Sequence, residues 1–142
     1  MISNVSLTTV WVRDIDESRD FYVDKLGFEP RDDVRLGEDV RWCTVGHPSQ
    51  PELDVHLSTP GPPLSPEYAA AVERAMNDGG TFAVGLHVDD CVATVADLEA
   101  QGVEVINPPE HRPYGGEALI RDNTGNWRVL VEKREFTRSD MN

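Results

Sequence analysis

A βα unit occurs twice in this chain, at an offset of 75 residues. Leu7 to Val12 (LTTVWV) is rich in β-branched and aromatic residues and suits a strand. Asp14 or Asp16 can cap a following helix, with Glu17 in its first turn and Phe21, Tyr22 and Leu26 at helical spacing. Gly27 is a natural left-handed terminator, and Phe28 opens a new extended segment. The pattern then returns. Thr81 to Val88 (TFAVGLHV) reads as a strand, and Asp89 or Asp90 caps a helix carrying Val92, Val95 and Leu98. Gly102 ends that helix, and Val103 to Ile106 alternates like a strand. Asp14 and Gly27 are 13 residues apart, as are Asp89 and Gly102. Two copies make an internal duplication rather than a solenoid, which needs at least three.

Each unit is followed by further strand-like stretches. They are Phe28–Leu36, Val40–Val45 and Leu53–Leu57 in the first half. In the second they are Val103–Ile106, Ala118–Arg121 and Trp127–Glu132. Gly-, Pro- and Asn-rich turns separate them. Each half is therefore β-α-β-β-β and the fold class is α+β. The expected organisation is a first module over 1–59, a Pro-rich linker and connecting helix over 60–80, a second module over 81–135, and a polar tail over 136–142. Ser65-Pro66-Glu67 supplies an N-cap, a proline in the first turn and an acid at the positive helix end. That helix should run to about Met76.

Composition removes several function classes. Twenty-six acidic against 13 basic residues give a net charge of −13, which argues against nucleic acid because phosphate contacts need a basic face. An acidic field could steer a cationic small molecule. No apolar run approaches the roughly 20 residues needed to cross a bilayer, so no membrane partner is expected. Met1-Ile2-Ser3-Asn4 has no basic and apolar leader pattern, and a cytoplasmic location is expected. Cys43 and Cys91 match no zinc spacing and read as reduced, buried thiols.

Two tandem βαβββ modules resemble the vicinal oxygen chelate superfamily, which contains glyoxalases, bleomycin-resistance proteins and extradiol dioxygenases. The resemblance rests on VRDIDESRDFYVDKLGFE in the first module and RDNTGNWRVLVE in the second. It implies a U-shaped curled sheet with helices outside. By strand alternation Thr8, Val10 and Val12 should pack under the first helix, and Phe82, Val84, Leu86 and Val88 under the second. Leu7, Thr9, Trp11, Arg13, Ala83, Gly85 and His87 should face the cup.

The superfamily's enzymes hold a divalent metal with four inward His, Glu or Gln side chains. Carried over by distance from the local motifs, those positions fall on Leu7, His56, Ala83 and Val129. Only His56 can donate to a metal. No family-type metal site and no cofactor are therefore expected. A relocated site using His56, His87 and Asp54 is disfavoured, because His87 lies roughly 13 Å along the strand from the ligand position.

Without metal, the resemblance implies a pocket for a flat, largely apolar ligand, held by stacking and a few polar anchors. The candidate ligand-binding residues are Thr9, Trp11, Trp42, Asp54, His56, His87 and Tyr114. The leading expectation is a homodimeric binding protein, without catalysis, that sequesters an aromatic and possibly cationic natural-product antibiotic for self-resistance. The alternative is a metal-dependent lyase, isomerase or dioxygenase with atypical ligands. A third reading is a metal-independent enzyme with His56 as general base beside Asp54.

Overall fold

The computed structural model describes residues 1–135 and Ser139; the rest of the polar tail expected over 136–142 lies outside the described residues. Two four-stranded curled sheets form, one from each half. Strands β1 (Leu7–Trp11), β2 (Glu29–Arg35), β3 (Arg41–Gly46) and β4 (Asp54–Ser58) take the order β1-β4-β3-β2. Strands β5 (Gly85–Val88), β6 (Val105–Arg112), β7 (Gly115–Arg121) and β8 (Trp127–Lys133) take the order β5-β8-β7-β6. The first strand of each sheet runs parallel to its last, and the other pairs are antiparallel. The α+β class and the tandem βαβββ order agree with the sequence reading.

Helices α1 (Ile15–Asp20) and α3 (Cys91–Ala100) follow β1 and β5, and α2 (Pro66–Asn77) joins the halves. Ser65 caps α2 by accepting from the Tyr68 N–H. The caps of α1 and α3 are Asp14 and Asp90, whose carboxylates accept from the N–H groups of Glu17 and Ala93. The 13-residue spacing expected in both copies therefore holds only for the first, since Asp90 rather than Asp89 is the second cap. The first helix absorbs its extra residue as a π-helical turn over Phe21–Lys25. Such one-residue widenings are frequent at functional positions.

Four local expectations change. Strand β5 begins at Gly85 rather than Thr81, because Thr81 spends its N–H and its hydroxyl on the Asn126 side chain, both at 2.8 Å. Phe82, expected under α3, is instead 51 % exposed and stacked on Trp127 at 4.5 Å. The buried stripe of α3 is Cys91, Val95 and Leu98, while Val92 points to solvent. Strand β6 extends through Pro108 and Pro109 to Arg112, which an edge strand tolerates since it has one unpaired side.

One core cluster joins both halves. Val10, Val12, Phe21, Tyr22, Val55 and Leu57 of the first pack with Val95, Leu98, Ile120 and Leu130 of the second. At its centre lies a polar junction. Arg128 and Asp122 are 3.2 Å apart with side chains fully buried. The Tyr22 hydroxyl donates to Asp122 at 2.8 Å and accepts from Arg128 Nε at 2.9 Å. The other Asp122 oxygen accepts from the N–H groups of Thr124, Gly125 and Asn126. Burial pushes the Tyr22 phenol well above its ordinary pKa, so it stays a donor across the physiological range.

A buried pair of this kind is costly to break on one side, because the survivor remains charged and unpaired. Arg128→Met should destabilise the fold by about 3–5 kcal/mol, against about 1–3 kcal/mol for Tyr22→Phe. Urea unfolding of the two variants checks this. Equal, small losses would show that the junction contributes little.

Candidate functional site

The face of each sheet turned away from the shared core carries the candidate residues. Register aligns Thr9, His56 and Thr44 across β1, β4 and β3. Trp42 stands two residues from Thr44 on the same face and stacks on the His56 imidazole at 4.2 Å with 22° between planes. Trp11 lies one pleat beyond Thr9, opposite Ser58. Thr9, Trp11, Trp42 and His56 thus form one half-buried patch. In the second sheet the corresponding row is His87, Val131 and Glu117 across β5, β8 and β7. Tyr114 sits in the two-residue β6–β7 turn, and its hydroxyl bonds to Glu117, which raises the phenol's pKa. His87 and Tyr114 therefore belong to the second sheet's row rather than to the Trp42 patch.

Desolvation holds the His56 pKa below its ordinary 6.5, so the ring is neutral at pH 7 and offers a flat aromatic surface continuous with Trp42. Asp54 shares the face of His56 but is committed elsewhere. Arg31 Nη1 donates to its carboxylate at 2.7 Å. The same guanidinium donates to the carbonyls of Leu53, His47 and Gln50. An irregularity in β2 between Pro30 and Asp33 turns Arg31 inward, and a Cβ at Gly46 would sit 2.2 Å from its Cζ. The guanidinium thus lies directly over the Gly46 backbone, and a side chain there would have to displace it. Arg31 is a residue the sequence reading missed.

The donor set does not fit a family-type metal. Register places Asp54 opposite Leu7 and Thr9 opposite His56. It places Val129 opposite Gly85 and Val131 opposite His87. The carried-over positions Leu7 and His56 are thus one pleat out of register, as are Ala83 and Val129, and neither register supplies four donors. Glu132 faces the other side of β8 and accepts from the Cys91 N–H at the start of α3. Among the described residues no three or more His, Cys, Asp or Glu side chains cluster suitably for a metal ion. His56 also has, among the described residues, no hydrogen-bonded carboxylate to make it a base, since Asp54 is bound to Arg31. Both cysteines are buried and unbridged, and burial raises their thiol pKa values, which leaves them poor nucleophiles.

A substantial cavity lies elsewhere, where the two modules meet. It measures about 710 Å³ and includes His87 from the candidate set, together with Lys25, Phe28 and His47, which the sequence reading had not placed at a site.

A family model for the glyoxalase/bleomycin resistance protein/dioxygenase superfamily matches residues 4–130. The solved structure of UcmS2 is similar to this chain, with 38 % identity, a TM-score of 0.81, and coverage of 94 % of this chain and 100 % of that one. The structure of TnmS3, described as an antibiotic binding protein from Streptomyces sp. CB03234, is 29 % identical with a TM-score of 0.73, covering 94 % and 98 %. An uncharacterised protein of Shewanella frigidimarina (strain NCIMB 400) is 30 % identical over 121 residues, 84 % of this chain and 86 % of that one.

The lowered His56 pKa has a sign. The folded state binds fewer protons there than the unfolded chain, so its contribution to stability is full above about pH 6.5 and falls as pH drops below that value. An NMR titration of the His56 ring should give a midpoint below the ordinary histidine value. Trp42→Ala should move it upward by hydrating the ring. A wild-type midpoint at or above the ordinary value would contradict the stacked, desolvated geometry.

Proposed function

Because this chain belongs to the glyoxalase/bleomycin resistance protein/dioxygenase superfamily, we propose that it is a homodimeric, cytoplasmic binding protein that sequesters a flat aromatic natural-product antibiotic without transforming it. The observation that carries this reading is the Trp42–His56 stack on a half-buried sheet face where, among the described residues, no metal-donor set gathers. A neutral imidazole against an indole presents an apolar plane onto which a polycyclic ligand can stack, each good ring contact adding about 0.5–1.5 kcal/mol beyond its buried area. Thr9 flanks the plane with a hydroxyl, buried Thr44 supports it from below while accepting from the Asp32 N–H, and Trp11 extends it. In the proposed dimer the second copy's sheet closes over this face, so the row containing His87 and Tyr114 supplies the opposite wall.

The net charge of −13 favours encounter with a cationic drug and resists neither loading nor release of a neutral one. TnmS3, at 29 % identity, is described as antibiotic binding, which supports the same class of role here. Protection by sequestration depends on affinity rather than turnover.

Titration of the purified protein with polycyclic natural products, followed by tryptophan fluorescence, should show saturable quenching at one ligand per chain. Trp42→Ala should weaken it at least tenfold, about 1.4 kcal/mol. The ligand should be recovered unchanged. Chemical conversion of the ligand, or about one tightly held metal per chain in protein prepared without chelators, would instead favour a metal-dependent enzyme of the superfamily.

A further inference from the structure

The core-side junction between the modules occurs twice, and only one copy is filled. Counted from the caps Asp14 and Asp90, Ser18 and Tyr22 occupy the same helical places as Thr94 and Leu98, four and eight residues on. On the first helix, Ser18 accepts from Asn123 and Tyr22 engages Asp122, so α1 is closed against the β7–β8 turn. On the second helix, Thr94 and Leu98 face the β3–β4 turn across the cavity of about 710 Å³. The fold can close this junction, since it does so on the other side. Here it leaves a space within the roughly 300–1,000 Å³ that holds small ligands.

The walls are chemically selective. Leu26, Phe28, Leu98, Leu130 and Val131 make an apolar floor. The ionisable residues around it are Lys25, His47 and His87, with no acid among the lining residues. That inverts the character of a chain with 26 acids and 13 bases. The turn carrying His47 and Gln50 is held by Arg31, which grips the carbonyls of both residues at 2.9 and 3.0 Å. The Ser49 N–H donates to His47 Nδ1 at 3.1 Å, so the neutral ring carries its proton on Nε2 and is a donor. Phe28 packs edge-on against the same ring at 5.9 Å and fixes its plane.

We infer that this junction cavity is a second small-molecule site, taking a compact apolar ligand with an anionic head group, such as an aryl carboxylate or sulfonate. The apolar body lies on Leu98 and Leu130. The anion meets His47 and His87, beside Lys25, whose ammonium also donates to the Gln101 carbonyl at 2.9 Å. This site lies apart from the Trp42 face, although His87 also stands in the row proposed as the opposite wall for the antibiotic, and it does not depend on the antibiotic-binding reading.

The probe is 1-anilinonaphthalene-8-sulfonate, with N-phenyl-1-naphthylamine as its uncharged counterpart, added to the full-length protein. The sulfonate should bind at one equivalent per chain and at least tenfold more tightly than the amine. Lys25→Glu and His87→Glu should each weaken it at least tenfold, and Thr94→Trp, which fills the cavity from α3, should abolish it. Trp42→Ala should leave the titration unaltered, so failure of the antibiotic reading and failure of this one are distinguishable. Equal binding of the two probes, insensitivity to both charge reversals, or loss of the sulfonate with Trp42→Ala would overturn the inference.

Discussion

Arg128 carries a full charge at a position with no access to water, and the joining of the two modules rests on how that charge is met. Asp122 neutralises it, Tyr22 bridges the pair from the other module, and the carbonyls of Trp127 and Thr81 take further guanidinium hydrogens. Among the described residues no buried side-chain polar atom is left without a partner. This matters because a half-satisfied buried network costs more than an apolar one. Apolar packing alone would tolerate small slips of one module over the other. Hydrogen bonds of defined direction between Tyr22 and Asp122 do not. The π turn in the first helix belongs to the same device, since it lies where Tyr22 leaves the helix to reach the second module.

Duplication supplied two junctions and two open sheet faces, and the copies have since diverged in chemistry. Where the second module's turn offers Asp122, the first offers His47 and Gln50 strapped down by Arg31. One junction is a closed polar lock and the other an open, basic-rimmed cavity. The sheet faces diverge as well. That of the first half carries a stacked aromatic pair, and that of the second a tyrosine–glutamate contact beside histidine. In both halves the backbone hydrogen bonds of the strands hold the side chains, so these surfaces are set before any ligand arrives. Such pre-organisation lowers the entropic cost of binding.

Donor chemistry separates this chain from the superfamily's metal enzymes. Register pairs Leu7 with Asp54 and Thr9 with His56 in the first sheet, and Gly85 with Val129 and His87 with Val131 in the second, so neither row of the described residues gathers four donors, and the acid nearest His56 along its strand is bound by Arg31. What remains on the face is area, aromaticity and a neutral ring. These are properties suited to holding a flat molecule and ill suited to polarising one.

Much of the fold was legible in local sequence. The two βα units, the Ser65 cap, the narrowing of the other caps to Asp14 or Asp16 and to Asp89 or Asp90, the terminating glycines and the alternation of β1 follow from nearest-neighbour sterics and hydrogen bonding, which act within a few residues. Parity assigned Thr9 and Trp11 to the open face, whereas the meeting of Trp42 with His56 on that face came from the register of β1, β4 and β3. The errors arose where a distant partner outbid a local preference. Thr81 left its strand for Asn126, Phe82 left the core for Trp127, and Asp54 was claimed by Arg31. Register, the pairing of His56 with Thr9, the Tyr22–Asp122–Arg128 lock across 100 positions and the open second junction were decided only by tertiary structure. A side chain's period tells which face it takes. It does not tell which of many equally spaced partners the packed chain will bring opposite.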